Sequence, residues 1–396
     1  MRRVAVGFLA VSLLMGVAAT PRARARDLVV GETGEAALAQ PMVVLGVADK
    51  PAAAAKSRFN PLEDLPDDLP SVAILDTGAS GHVLSAATAA RFGLKAETGS
   101  RYVETGMSGD HSLEVSRPAT LDVTDLVPED EDAPRGRRGQ RTAPASVRLS
   151  GQRVLLNEAP SDLSAALLSP GSIVDVIGMP LIRDHVVEIE PQDEAGAALA
   201  VRLHPSAAGL AVDAWVALTL VDFNRRDPRN RGPVPSLATN PVVPGVRTVL
   251  GAADAEGDWL LDTGATCTMI STATAKRLGL VDASGTPTRR PAFTLPVGGI
   301  GGGSTSLQGF RLDRLELRAD RGRTLVFPDA AVVVHDITTT RADGITVTLD
   351  GLLGMNLLLP SGSGMTMLGA GGQRPSPFAR VVIDAAGERL GFALAE

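Results

Sequence analysis

Cysteine is nearly missing from these 396 residues. Cys267 stands alone, so no disulfide can close within the chain and no thiolate cluster can hold zinc. The five histidines, His82, His111, His185, His204 and His335, show no ligand spacing, so neither a metal nor another cofactor is expected. Aromatic residues make up 3% and include one tyrosine, Tyr102; beside Gly 42 and Pro 27 this favours many short strands and turns over long helices. No long basic face is present and the net charge is −7, which excludes a general nucleic-acid binder. Two catalytic patterns are also missing. "GGIGGGS" (residues 298–304) is not followed by Lys-Ser/Thr, so it is no phosphate loop. "GASGH" (residues 78–82) puts His82 where a nucleophile elbow needs glycine, so Ser80 is no esterase-type nucleophile.

What is present suits a globular protein of two or three domains, with 44% hydrophobic and 21% charged residues. The chain opens with Arg2 and Arg3, an apolar run over residues 4–19 and Ala23-Arg24-Ala25, the pattern of a secretory signal peptide over residues 1–25. The expected destination is the periplasm or the extracellular space. An uncleaved anchor is the alternative, although the run is short for a full span. No later run is long and apolar enough to cross a bilayer.

The chain repeats itself. "AILDTGASGHVLSAATAARFGL" (residues 73–94) aligns without a gap on "WLLDTGATCTMISTATAKRLGL" (residues 259–280), so that Asp76 and Asp262, and Leu94 and Leu280, stand the same 186 residues apart. Later in each half come "VDVIGMPLI" (residues 174–182) and "LDGLLGMNLLL" (residues 349–359), with Gly178 matching Gly354. Between these lie two glycine-rich hairpin tips, "ETGMSGD" (residues 104–110) and "VGGIGGGS" (residues 297–304). Each half should open with a hairpin, residues 42–47 with 72–75 and 247–250 with 259–261. A short helix should follow each Asp-Thr-Gly, over residues 86–92 and 272–278, with Gly93 and Gly279 as stops. The expected organisation is an N-terminal lobe over residues 26–221, a linker over 222–245 and a C-terminal lobe over 246–396. Insertions fall at about 48–70 and 128–144, the second a solvated loop of opposed charge blocks.

A single Asp-Thr-Gly is an ordinary turn. Two in a duplicated frame can meet across a pseudo-twofold axis. Carboxylates about 3 Å apart repel by about 5 kcal/mol at an effective dielectric of about 20, so Asp76 and Asp262 would share one proton. One could then act as base on a water while the other protonates a carbonyl oxygen.

With both Asp-Thr-Gly-Ala segments, Ile177-Gly178 and Leu353-Gly354, and both glycine tips, the chain resembles aspartic proteases of the pepsin and retropepsin clan. "GGIGG" (residues 298–302) is similar to the flap tip of retroviral enzymes, and "VVIDAAGERLGFA" (residues 381–393) resembles the closing strands of pepsin-like ones. The resemblance implies an all-β, bilobal fold of two related six-stranded-type β-barrel lobes with short helices. It implies a monomer with internal pseudo-twofold symmetry acting on a peptide or protein substrate. Asp76 and Asp262 would be the catalytic pair; Thr77, Gly78, Thr263 and Gly264 would support their loops, with the threonines bonded across the lobe interface. Gly106, Met107 and Gly109, with Gly298, Gly299, Ile300, Gly301 and Gly302, would cover substrate, and Gly178 and Gly354 would permit close packing beneath the loops. Ala79 and Ala265 stand where pepsin-like enzymes usually carry serine, as in retroviral enzymes, and Tyr102 precedes Gly106 by four residues. Without those hydroxyls, activity at mildly acidic to neutral pH is expected. A binding protein that keeps the cleft for peptides or a wall component without cleaving them is the alternative.

Overall fold

The computed structural model describes residues 27–31, 33–37, 39–47, 71–106, 109–125, 146–157, 175–192, 199–224, 227–298, 304–340, 345–359, 361–362 and 376–395. The signal segment, both insertions and the hairpin-tip residues Met107, Gly299, Ile300, Gly301 and Gly302 lie outside these. The fold is all-β. Among the described residues it comprises two nine-stranded sheets, a five-stranded sheet and two strand pairs, with only short helices.

The repeat is visible in the strand register. In the first half Met42–Val47 pairs antiparallel with Ser71–Leu75, setting Met42 opposite Ile74; in the second, Asn240–Leu250 pairs with Ala253–Leu261, setting Val242 opposite Leu260. A later short strand then inserts parallel to each: Asp175–Ile177 beside Ser71–Leu75, and Gly351–Leu353 beside Ala253–Leu261. These strands also pack into the hydrophobic core, where Leu75, Ile177, Leu261 and Leu353 are fully buried. Each such side chain contributes about 1.5–3 kcal/mol of burial.

The helices Ala86–Phe92 and Thr272–Arg277 start alike. Ser85 and Ser271 cap them by accepting from Thr88 N–H and Thr274 N–H at 3.1 and 3.0 Å. Gly93 and Gly279 both stand at φ 68°, the left-handed turn that ends each helix.

Several strand pairings cross the expected domain boundaries. Val186–Pro191 of the first half pairs with Phe378–Asp384 of the chain's end, joining both halves in the five-stranded sheet. Near the N-terminus, Leu28–Val29 pairs parallel with Leu325 and Val326 in the second half's sheet. The segment expected as a linker already enters strand at Asn240, and its earlier part lies along the first half, where Gly81 bridges Leu237 and Arg101 bridges Arg231. The physical reason is shared: unpaired strand edges find partners, and these edges find them in the other half.

Candidate active site

The strand Ser71–Leu75 ends at Asp76, and Asp76 N–H donates to Ile177 O at 3.0 Å. In the other half Asp262 N–H donates to Leu353 O at 3.1 Å. Each Asp is therefore fixed by the inserted parallel strand beside it. The chain then turns back on its own carboxylate: Gly78 and Ala79 N–H donate to Asp76 Oδ1 at 2.7 and 3.2 Å, and Gly264 and Ala265 N–H to Asp262 Oδ1 at 2.9 and 3.0 Å.

The threonines cross the boundary. Thr77 N–H donates to Thr263 Oγ1 at 3.1 Å and Thr263 N–H to Thr77 Oγ1 at 3.0 Å, while the two hydroxyls donate to Leu261 O and Leu75 O at 2.7 and 2.6 Å. This network brings the carboxyls face to face, close enough to hydrogen-bond one another. Neither loop has room for a side chain at its glycine. A Cβ on Gly78 would lie 2.6 Å from Asp262 Cγ, and one on Gly264 would lie 2.5 Å from Asp76 Cγ.

Burial pushes the Asp76 carboxyl above the usual range, while its hydrogen bonds with Asp262, Gly78, Ala79 and Gly264 pull the other way. Asp262 is driven well above the usual range, first by burial and then by the charge of Asp76 and the hydrogen bond to it. One proton is thus shared by the pair.

Gly178 and Gly354 underlie the loops as close-packed backbone. A Cβ on Gly178 would fall 2.2 Å from Gly81 O, and one on Gly354 would fall 2.3 Å from Cys267 O. Beyond them, Met179 N–H and Met355 N–H bond Ala79 O and Ala265 O, both at 2.9 Å. Equivalent side chains receive the glycine N–H groups: Gly178 donates to His82 Nδ1 at 3.2 Å and Gly354 to Thr268 Oγ1 at 3.1 Å. His82 is fully buried with no partner for Nε2 among the described residues, and burial pushes its pKa down to about 4. Cys267 is buried as well, and burial pushes its thiol up to about 12.

The glycine-rich hairpins are present up to their tips. Tyr102–Gly106 pairs with Gly109–Val115, closing with Gly106 opposite Gly109, and Phe293–Gly298 pairs with Ser304–Arg318, closing with Gly298 opposite Ser304. Tyr102 is buried in a small cluster with Val83, Leu113, Val115, Leu155 and Val176. The first hairpin is tied to the segment after residue 222: Arg229 bonds Asp110 at 2.6 Å, and Val103 N–H donates to Asn230 Oδ1 at 2.9 Å.

Two site residues escaped the sequence reading. Asn240, buried, donates from Nδ2 to Thr77 O and Gly78 O at 3.0 Å each, and accepts from Ser80 Oγ at 2.6 Å. Gln40 donates from Nε2 to Gly264 O. The signal was present as Gln40-Pro41 and Asn240-Pro241, one carboxamide-proline pair at the entry to each opening strand.

A family model described as "Aspartyl protease" matches residues 248–357, which run through Asp262, the second glycine hairpin and Gly354. It supports an aspartic protease kind for this protein. No curated protein matches the chain. Among solved structures the chain is similar to basic 7S globulin from soybean, at 11% identity over 82% of this chain and 89% of that one, with a TM-score of 0.39, too loose a likeness to argue from.

Proposed function

We propose that this protein is an aspartic endopeptidase in which a water is activated between Asp76 and Asp262, one carboxyl from each half. The observation that carries this reading is the mutual approach of the two carboxyls, each held by two N–H donors of its own loop. In the proposed cycle the Asp76 carboxylate takes a proton from the water as its oxygen attacks the scissile carbonyl carbon. Asp262 gives its proton to the carbonyl oxygen. The tetrahedral diol then collapses as Asp76 gives its proton to the amide nitrogen, Asp262 takes one back from a diol hydroxyl and the C–N bond breaks, releasing an amine and an acid. No covalent intermediate with the chain is formed.

The substrate is an extended peptide or protein segment lying between the halves, covered by the hairpins at Gly106–Gly109 and Gly298–Ser304. The protein acts as a monomer with an internal pseudo-twofold, exported by the segment over residues 1–25. Because Ala79 and Ala265 provide no hydroxyl and burial raises both carboxyls, activity belongs at mildly acidic to neutral pH. A profile peaking well below about pH 3 contradicts that part of the reading.

A random peptide library treated with wild type and with Asp262→Asn tests the reading. Cut sites made by wild type and lost in the variant support it. Peptides retained by a wild type that cuts none of them overturn it in favour of a binding protein.

A further inference from the structure

Each opening strand is preceded by a segment that lies on the opposite half's Asp loop. Ala37 N–H donates to Thr266 O at 2.7 Å and Ala238 N–H to Ser80 O at 2.8 Å, and Thr266 and Ser80 are equivalent positions of the repeat. A carboxamide then reaches the loop: Gln40 Nε2 bonds Gly264 O, and Asn240 Nδ2 bonds Gly78 O, again equivalent positions. The segment opening the first half therefore grips the second half's Asp, and the reverse holds too.

These contacts reach the carboxyls through single peptide planes. The carbonyl of Gly264 shares its planar amide with the N–H of Ala265, which donates to Asp262 Oδ1 at 3.0 Å. The carbonyls of Thr77 and Gly78 share theirs with the N–H groups of Gly78 and Ala79, which donate to Asp76 Oδ1 at 2.7 and 3.2 Å. An amide whose oxygen accepts a hydrogen bond is a stronger donor at its nitrogen. Asn240 thus reinforces both donors of Asp76, whereas Gln40 reinforces one of the two donors of Asp262.

On this basis, and resting on the proteolytic reading of the same carboxyls, we infer that Gln40 and Asn240 are crossed positioning residues, and that the extra contact of Asn240 makes Asp76 the ionised member of the pair and leaves the proton on Asp262. Neither side chain touches the reacting atoms. The charge acting on Asp262 is that of Asp76, Asp76 itself feels burial and hydrogen bonds, and the Cys267 thiol that feels Asp262 is itself neutral at a pKa of about 12.

The test is a carboxyl-carbon NMR titration of the full chain labelled at aspartate, with Asp76 and Asp262 assigned through their asparagine variants, alongside pH–rate profiles. Asn240→Leu removes both hydrogen bonds made by Nδ2 and should raise the lower of the two apparent pKa values by about one unit, moving the acid limb of kcat with it. Gln40→Met, at a half-buried site that a folded protein tolerates, should raise the upper value and leave the lower in place. Both should lower kcat by about ten-fold or more with KM within about two-fold. Titrations that match wild type in Gln40→Met, and in Asn240→Leu where it folds, overturn the inference. The titration needs no substrate: shifted values in a protein that cleaves nothing would uphold the inference and sink the proteolytic reading, and unshifted values in an active enzyme would do the reverse.

Discussion

Thr77 and Thr263 hold each other by the same bond made in both directions, backbone N–H to hydroxyl, at 3.1 and 3.0 Å. Both are fully buried, and each hydroxyl also donates to the carbonyl just before the opposite Asp. Replacing either with valine strands one N–H and one carbonyl away from water. Thr77→Val and Thr263→Val should each lower unfolding free energy by about 2–4 kcal/mol, and the double variant by clearly less than the sum, because the two remove one shared network. Thr77→Ser keeps every bond and should lose only about 1 kcal/mol for its methyl group. Urea denaturation of the four proteins checks this.

The loop glycines make a sharper demand. With a Cβ of Gly78 due 2.6 Å from Asp262 Cγ, and one of Gly264 due 2.5 Å from Asp76 Cγ, an added methyl group must separate the carboxyls. Gly78→Ala and Gly264→Ala should each reduce kcat on the order of a hundred-fold, with the two carboxyls titrating more nearly independently. A peptide assay over pH measures both effects.

Much of this site could be read from the chain because the repeat carries it locally. The Asp-Thr-Gly segments and the helix stops Gly93 and Gly279 recur in one register, the late glycines Gly178 and Gly354 recur 176 residues apart, and each works within a few residues of its motif or beneath it. What crosses between halves was less visible. Gln40 and Asn240 are equivalent in strand register, yet they stand 200 residues apart instead of the 186 of the motif, because the first copy carries the longer insertion. A carboxamide before proline also says nothing about which loop it will reach. The same applies to the shared sheet: Val187 and Ile383 are ordinary strand residues, and their pairing follows from edges left open once each half has closed. In the sequence His82 stands out for spoiling a nucleophile elbow and for lacking ligand spacing, while its buried role depends on Gly178, far along the chain.

The carboxyl pair should make the protein less stable at neutral pH than an uncharged pair would. Both groups titrate above the usual carboxylate range because folding buries them. Their contribution is therefore most favourable below the unfolded pKa and is lost as pH rises through the folded values. Asp262→Asn keeps a donor toward Asp76 and removes the titration of one of the two carboxyls. Its melting temperature should exceed that of wild type at pH 7, by about 2–4 °C for each kcal/mol recovered, and the gap should close toward pH 4. Calorimetry across that range gives the answer, and a variant no more stable than wild type at neutral pH contradicts the assigned direction.

His82 sets the opposite limit. Its Nδ1 accepts the Gly178 N–H at 3.2 Å, so the ring must stay neutral for the bond to survive, and burial lowers its pKa from the ordinary 6.5 to about 4. For a group depressed on folding, the stabilising contribution is present above pH 6.5 and is lost as pH falls toward the folded value, here about 3 kcal/mol over that interval. Protonation would also set a ring N–H against the Gly178 N–H, directly beneath the Asp76 loop. Thr268 shows the alternative, since its hydroxyl receives the equivalent Gly354 N–H without titrating. His82→Thr should lose about 1–3 kcal/mol at pH 7 for the space it leaves, yet its stability should fall far less than that of wild type between pH 6.5 and pH 4. Placing both proteins in the Asp262→Asn background removes the opposing titration of that carboxyl, and every other carboxyl is common to the two, so the difference between their acid slopes belongs to His82. If the slope is the same with histidine and with threonine at position 82, the acid limit arises elsewhere in the fold.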